Sequence, residues 1–67
     1  MKAVKLSEVK KGDYFTLKPL DEPKESQVYV RDEYCREAKA YTCYKFEDVN
    51  RDRLIKGSKE VYIDFYF

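Results

Sequence analysis

The sequence predicts a small all-β domain, and three observations carry that prediction. Apolar residues alternate with polar ones in several short runs, ending in Glu60-Val61-Tyr62-Ile63-Asp64-Phe65-Tyr66-Phe67. No window of ten residues repeats apolar positions with the 3.6-residue period of a helix. Seven tyrosines and four phenylalanines supply the aromatic side chains that strands favour. Four or five short strands in one domain must curl to cover their apolar face. The expected architecture is therefore a partly open SH3-like or OB-like barrel with one or two short helical turns. The alternative is a flat meander completed by dimerisation, because a chain of 67 residues buries only about 60% of its open-chain surface.

Along the chain, Leu6 to Gly12 reads as one helical turn. Ser7 serves as its cap, Val9 faces inward, and Gly12 supplies a left-handed exit. Residues 13–18 alternate as a strand with Phe15 and Leu17 on one side. Lys18-Pro19-Leu20-Asp21-Glu22-Pro23-Lys24-Glu25-Ser26 is an exposed loop within the single domain 1–67. Two prolines fix φ, remove donors and push their predecessors to extended geometry. Gln27 to Arg31 is the next strand, with Val28 and Val30 together.

Residues 36–39 are the expected turn of a hairpin leading into the strand 40–46; it contains no Gly, Asn or Asp, so its type and register stay open. For the segment 48–56 the sequence supports a helical turn near 48–53, capped by Asp48, followed by an extended Leu54-Ile55. The last strand spans 60–67, with Val61, Ile63, Phe65 and Phe67 on one face. The expected core is Phe15, Leu17, Val28, Val30, Phe46, Val61, Ile63 and Phe65.

Charge narrows the function. Fourteen basic and thirteen acidic residues give a formal net charge of +1, which excludes a strongly basic nucleic-acid binder but not a local patch. Residues 1–20 carry an excess of lysine and residues 21–33 an excess of acid, so electrostatic contact between these segments is reasonable. Hydrophobic residues at 43% exclude a disordered chain. The N-terminal segment lacks the apolar run of a signal peptide, and no stretch reaches the length of a membrane span. A cytoplasmic protein with reduced thiols is expected.

The motifs that suggest chemistry are incomplete. Asp48-Val49-Asn50-Arg51-Asp52 opens like a calcium loop, but Arg53 stands at the glycine position and Lys59 at the bidentate glutamate position. Ser7 and Lys10 fit the serine–lysine spacing of penicillin-recognising acyltransferases, yet a turn cap explains Ser7 better. Without histidine, Cys35 and Cys43 are too few for a structural zinc site. A register pairing residues that sum to 78 would set these two cysteines opposite each other; a four-residue turn at 36–39 would instead give 75 and opposite faces. Asp32, Glu33 and Glu37 have no partner that raises one carboxyl selectively. The expectation is no cofactor, no metal and no catalysis.

What remains is a binding surface. Tyr14, Tyr29, Tyr62 and Tyr66 alternate with core residues and are expected on solvent faces. A rigid amphipathic tyrosine ring is a common interface anchor. With Arg31, Arg51 and Arg53 they form the candidate surface of a protein-interaction module. The alternative is an OB-like or SH3-like nucleic-acid-binding domain using tyrosine stacking and arginine contacts. The C-terminal strand sets a further expectation. Central placement covers both its edges, whereas an open edge would make it the seam of a weak homodimer.

The order G-D-Y-F, V-Y-V-R-D-E-Y, Y-T-C-Y-K-F-E-D-V-N and L-I-K-G-S-K-E-V resembles a family of short, uncharacterised bacterial proteins, also met on phage-like and other mobile elements. The resemblance covers most of the chain. It implies a free-standing cytosolic domain with no established activity and carries over no functional residue.

Overall fold

The computed structural model describes residues Met1–Phe67. Six strands form one antiparallel sheet: β1 (Lys2–Lys5), β2 (Tyr14–Thr16), β3 (Val28–Cys35), β4 (Ala40–Lys45), β5 (Asp48–Ile55) and β6 (Glu60–Ile63). Their order is β1-β6-β2-β3-β4-β5, so β1 and β5 are the edges and the sheet is not closed into a barrel. The only helical elements are two 3-10 turns, Leu6–Glu8 and Glu25–Gln27. In both, a side chain three residues on accepts the N–H that precedes the turn: Lys5 N–H donates to Glu8 Oε1 at 3.0 Å and Lys24 N–H to Gln27 Oε1 at 2.9 Å. Glu8 therefore does the capping expected of Ser7, which lies inside the turn. Gly12 takes the left-handed conformation, φ +89°.

The connection between β5 and β6 forces the sheet to curl. These strands stand four places apart, about 19 Å in a flat sheet. Only residues 56–59 join them, a span of at most about 17 Å when fully extended. That loop is folded, with Lys59 N–H donating to Lys56 O at 3.0 Å. The sheet bends around an inner face, and the first 3-10 turn plugs the opening between the edges. Leu6 N–H donates to Lys59 O and Ser7 N–H to Gly57 O, both at 3.0 Å. The inner core packs Leu6, Val9, Phe15, Cys43, Ile55 and Val61, with Leu17, Tyr29, Tyr41 and Ile63 against it.

A second layer lies on the outer face. Phe15 pairs with Tyr29, and Thr16 with both Val28 and Tyr62. Val28 and Val30 are therefore buried on the side opposite Phe15, not beside it. The tail after Ile63 covers this outer face. Asp64 at φ +58° turns the chain out of β6, and Tyr66 N–H donates to Asp21 O at 2.8 Å. Phe46, Phe67 and Tyr14 then meet edge to face, with centroids 4.7 to 5.6 Å apart.

Several expectations need correction. The sheet has six strands, not four or five, because Lys2–Lys5 and Asp48–Ile55 are both extended. The segment 48–56 has no helical turn: Asp48 Oδ1 accepts Asn50 N–H at 3.0 Å inside a strand whose residues 49–51 bulge away from β4. The last strand stops at Ile63, so Phe65 leaves the inner face and joins the tail. Leu17, Phe46, Ile63 and Phe65 are half-buried rather than core. The hairpin register, which the turn residues leave open, is settled beside the turn by Cys35 facing Ala40 and Tyr34 facing Tyr41, both summing to 75; it shifts to 74 from Arg31–Cys43 onward, and Lys39 in the left-handed region closes the turn. β6 lies between β1 and β2, so the backbone edge that a dimer through the C-terminal strand requires is already occupied.

Candidate functional site

The residues that the sequence nominates do not converge. Register places Tyr29, Arg31 and Arg53 on the inner face and Tyr14 and Tyr62 on the outer one. Arg51 lies in the bulged stretch of β5, and Tyr66 stands out on the tail, 80% exposed.

Most of these side chains already have intramolecular work. Tyr29 is half-buried rather than solvent-facing, its ring stacked on Phe15 with centroids 5.9 Å apart. Pairing directly with Phe15 puts it on the inner side of a sheet that buries residues on both faces. Tyr14 is partly exposed but stands in the Phe46–Phe67 cluster. Tyr62 O–H donates to Glu60 Oε1 at 3.1 Å, and that hydrogen bond raises its pKa above the usual phenol value.

Arg31 shows why a one-residue bulge matters. Arg31 pairs with Cys43 but Tyr34 with Tyr41, so Asp32 and Glu33 together face Thr42. The extra residue keeps Arg31 and Tyr34 on the same side. The Arg31 guanidinium carbon sits 4.2 Å from the Tyr41 ring centroid, and Tyr34 meets Tyr41 edge-on at 4.9 Å. Arg31 Nε is buried without a hydrogen-bond partner. Gly57 passes against the same tyrosine: a Cβ there would lie 3.0 Å from Tyr41 Cε2 and 3.3 Å from Ser7 Cβ. The cluster locks the loop 56–59 to the sheet. Nearby, Lys11 Nζ donates to Glu33 Oε1, which raises the lysine pKa and lowers that of the glutamate; both groups are exposed.

Two surfaces are left without internal partners. One is a groove of about 410 Å³ at the mouth of the inner face, where Leu17 meets Lys56, Lys59 and the end of β5, Arg53 to Ile55, so it adjoins the second surface. A smaller hollow of about 190 Å³ continues past Leu17 to Tyr29 and Lys18. Neither has an acidic residue in its lining. Lys18, Lys56 and Lys59 escaped the sequence reading because they come from two loops that only the curl brings together. The second surface is the free edge of β5. Seven of its eight residues are exposed or half-exposed, with Val49 at 65% and Leu54 at 53%.

No family model, curated protein or solved structure matches the chain. Cys35 and Cys43 are free thiols. Cys43 is buried, and burial pushes its thiol up to about 11. A thiol in that state is a poor nucleophile. No three His, Cys, Asp or Glu side chains cluster to hold a metal ion. The features left without internal partners are the β5 edge and the basic groove.

Proposed function

We propose that the protein is a non-catalytic interaction module of the cytoplasm that takes a protein partner along the β5 edge. The observation that carries this reading is that β5, one of the two longest strands, is paired on one side only and holds Leu54 and Val49 in solvent. Such an edge offers backbone N–H and C=O groups to an incoming strand, while exposed side chains choose among strands. In this reading the SH3-like or OB-like character is that of a curled sheet with one edge left for a ligand.

A second reading rests on a different observation. The groove lined by Lys18, Arg53, Lys56 and Lys59 is free of carboxylates, which suits a single-stranded nucleic acid beside Tyr29.

One comparison separates the two. Parent, Val49→Lys and Lys56→Glu/Lys59→Glu proteins are immobilised and exposed to cell extract with and without nuclease. The edge reading expects a protein retained by the parent and the groove variant, lost with Val49→Lys and indifferent to nuclease. Retention of nucleic acid, lost with the groove variant and with added salt, overturns it in favour of the second reading.

A further inference from the structure

We infer that the partner is an antiparallel strand carrying, from its N- to its C-terminus, an apolar, an acidic, a basic and an acidic residue opposite Leu54, Arg53, Asp52 and Arg51. The inference rests on the edge reading above and names the chemistry of its partner.

The edge is charged in a regular way. Arg51, Asp52 and Arg53 alternate in sign, all three are exposed, and Leu54 follows with its side chain half in solvent. Residues directly opposite in an antiparallel pair share a face, with Cβ atoms about 5 Å apart. An incoming strand therefore meets these charges one by one, and opposite charge at each position is the favourable pattern. Alternating sign also sets the register, because a slip of one residue leaves two charge pairs, both of like sign. All five pairings in this sheet are antiparallel, so the added strand follows the same twist.

The same pattern argues against a second copy as the occupant. A two-fold axis through a shared edge sets its central residue opposite itself. Centred on Arg51 it opposes Arg51 to Arg51, centred on Arg53 it opposes Arg53 to Arg53, and centred on Asp52 it opposes Asp52 to Asp52. Centred on Asn50 it opposes Asp48 to Asp52. Like charges directly opposite are destabilising. Registers centred beyond 50–53 pair three or fewer residues of each β5. The other edge, β1, has only the four residues Lys2–Lys5 and continues at once into the turn that plugs the sheet. A nucleic acid gains little here either, because Asp48 and Asp52 punctuate the arginines.

Two capped peptides test the inference: Thr-Val-Glu-Lys-Glu-Thr and its charge reverse, Thr-Val-Lys-Glu-Lys-Thr. Each is titrated into the ¹⁵N-labelled parent, into Arg51→Glu/Asp52→Lys/Arg53→Glu, and into the milder Arg53→Glu. The parent is expected to prefer the first peptide by about tenfold, from three cross-strand pairs changed in sign. Shifts should be confined to β5 and its neighbours. The triple variant should reverse the preference, and Arg53→Glu should reduce it. Equal binding of both peptides to the parent overturns the charge pattern while leaving the edge as a docking strand. Binding of neither peptide, or shifts confined to Lys18, Lys56 and Lys59 outside β5, overturns the edge reading itself.

Discussion

Cys43 makes the inner core sensitive to alkali. Its thiol is fully buried between Arg31 and Arg53 on the neighbouring strands, and burial raises its pKa from 9.0 to about 11. Below pH 9 the thiol is protonated in folded and unfolded chains alike, so it leaves stability independent of pH. Between pH 9 and 11 the unfolded chain gives up this proton while the folded one keeps it, and stability falls as pH rises. Cys43→Ala loses packing but also loses this titration. The stability gap between parent and variant is therefore expected to narrow from pH 9 to pH 11 in urea denaturation curves. A constant gap would show that the thiolate is accommodated without penalty. At this scale the sequence left the thiols open, because the turn 36–39 has no residue that selects its register; the pairing of Cys35 with Ala40 is what sets Cys35 and Cys43 on opposite faces. The sequence was also uninformative about Tyr29. Strand alternation tells which residues share a side but not that both sides are covered.

At the level of elements, legibility followed apolar content. β2, β3 and β4 were visible because Phe15, Val28, Val30 and Cys43 alternate with polar neighbours. β1 was invisible because Lys2-Ala3-Val4-Lys5 offers a single branched apolar residue, and β6 supplies the pairing that makes it a strand. β5 was misread because Asp48, Asn50 and Asp52 look like turn residues, and its bulge breaks whatever alternation remains. The alternation carries the C-terminal strand four residues too far, to Phe67 instead of Ile63, because nothing in the string marks Asp64 as the residue that reverses. The tail that follows is a structural element in its own right. Its hold on the outer face runs through Phe67 and Phe46, whereas Tyr66 points into solvent. Phe46→Ala is expected to cost about 2 kcal/mol, less than a fully buried phenylalanine because the ring is half-exposed. Tyr66→Ala should stay within about 0.5 kcal/mol. Equal losses in thermal or urea unfolding would mean that the tail packs through its other face.

For the whole molecule, two layers on one curled sheet explain how so short a chain folds. Its accessible surface of 4834 Å² is close to the roughly 4,500 Å² that size scaling gives for a compact domain of this length. The six inner residues alone are a small core, and the outer layer under the tail adds Val28, Val30 and Thr16. Curling also disposes of most exposed backbone: β6 is paired twice, β1 runs into the plugging turn, and β5 alone carries a long free edge. The long open edge considered for the C-terminal strand is thus that of β5, where like charges would stand opposite each other in a second copy. Replacing Arg51, Asp52 and Arg53 together by threonine removes that opposition and adds residues of good strand propensity. The triple variant is expected to associate as its concentration rises, while the parent keeps one mass across a hundredfold dilution. Light scattering with sedimentation equilibrium reads both. A parent that dimerises as readily as the threonine variant would show that the alternating charges do not guard the edge, and would leave a second copy as the occupant of β5.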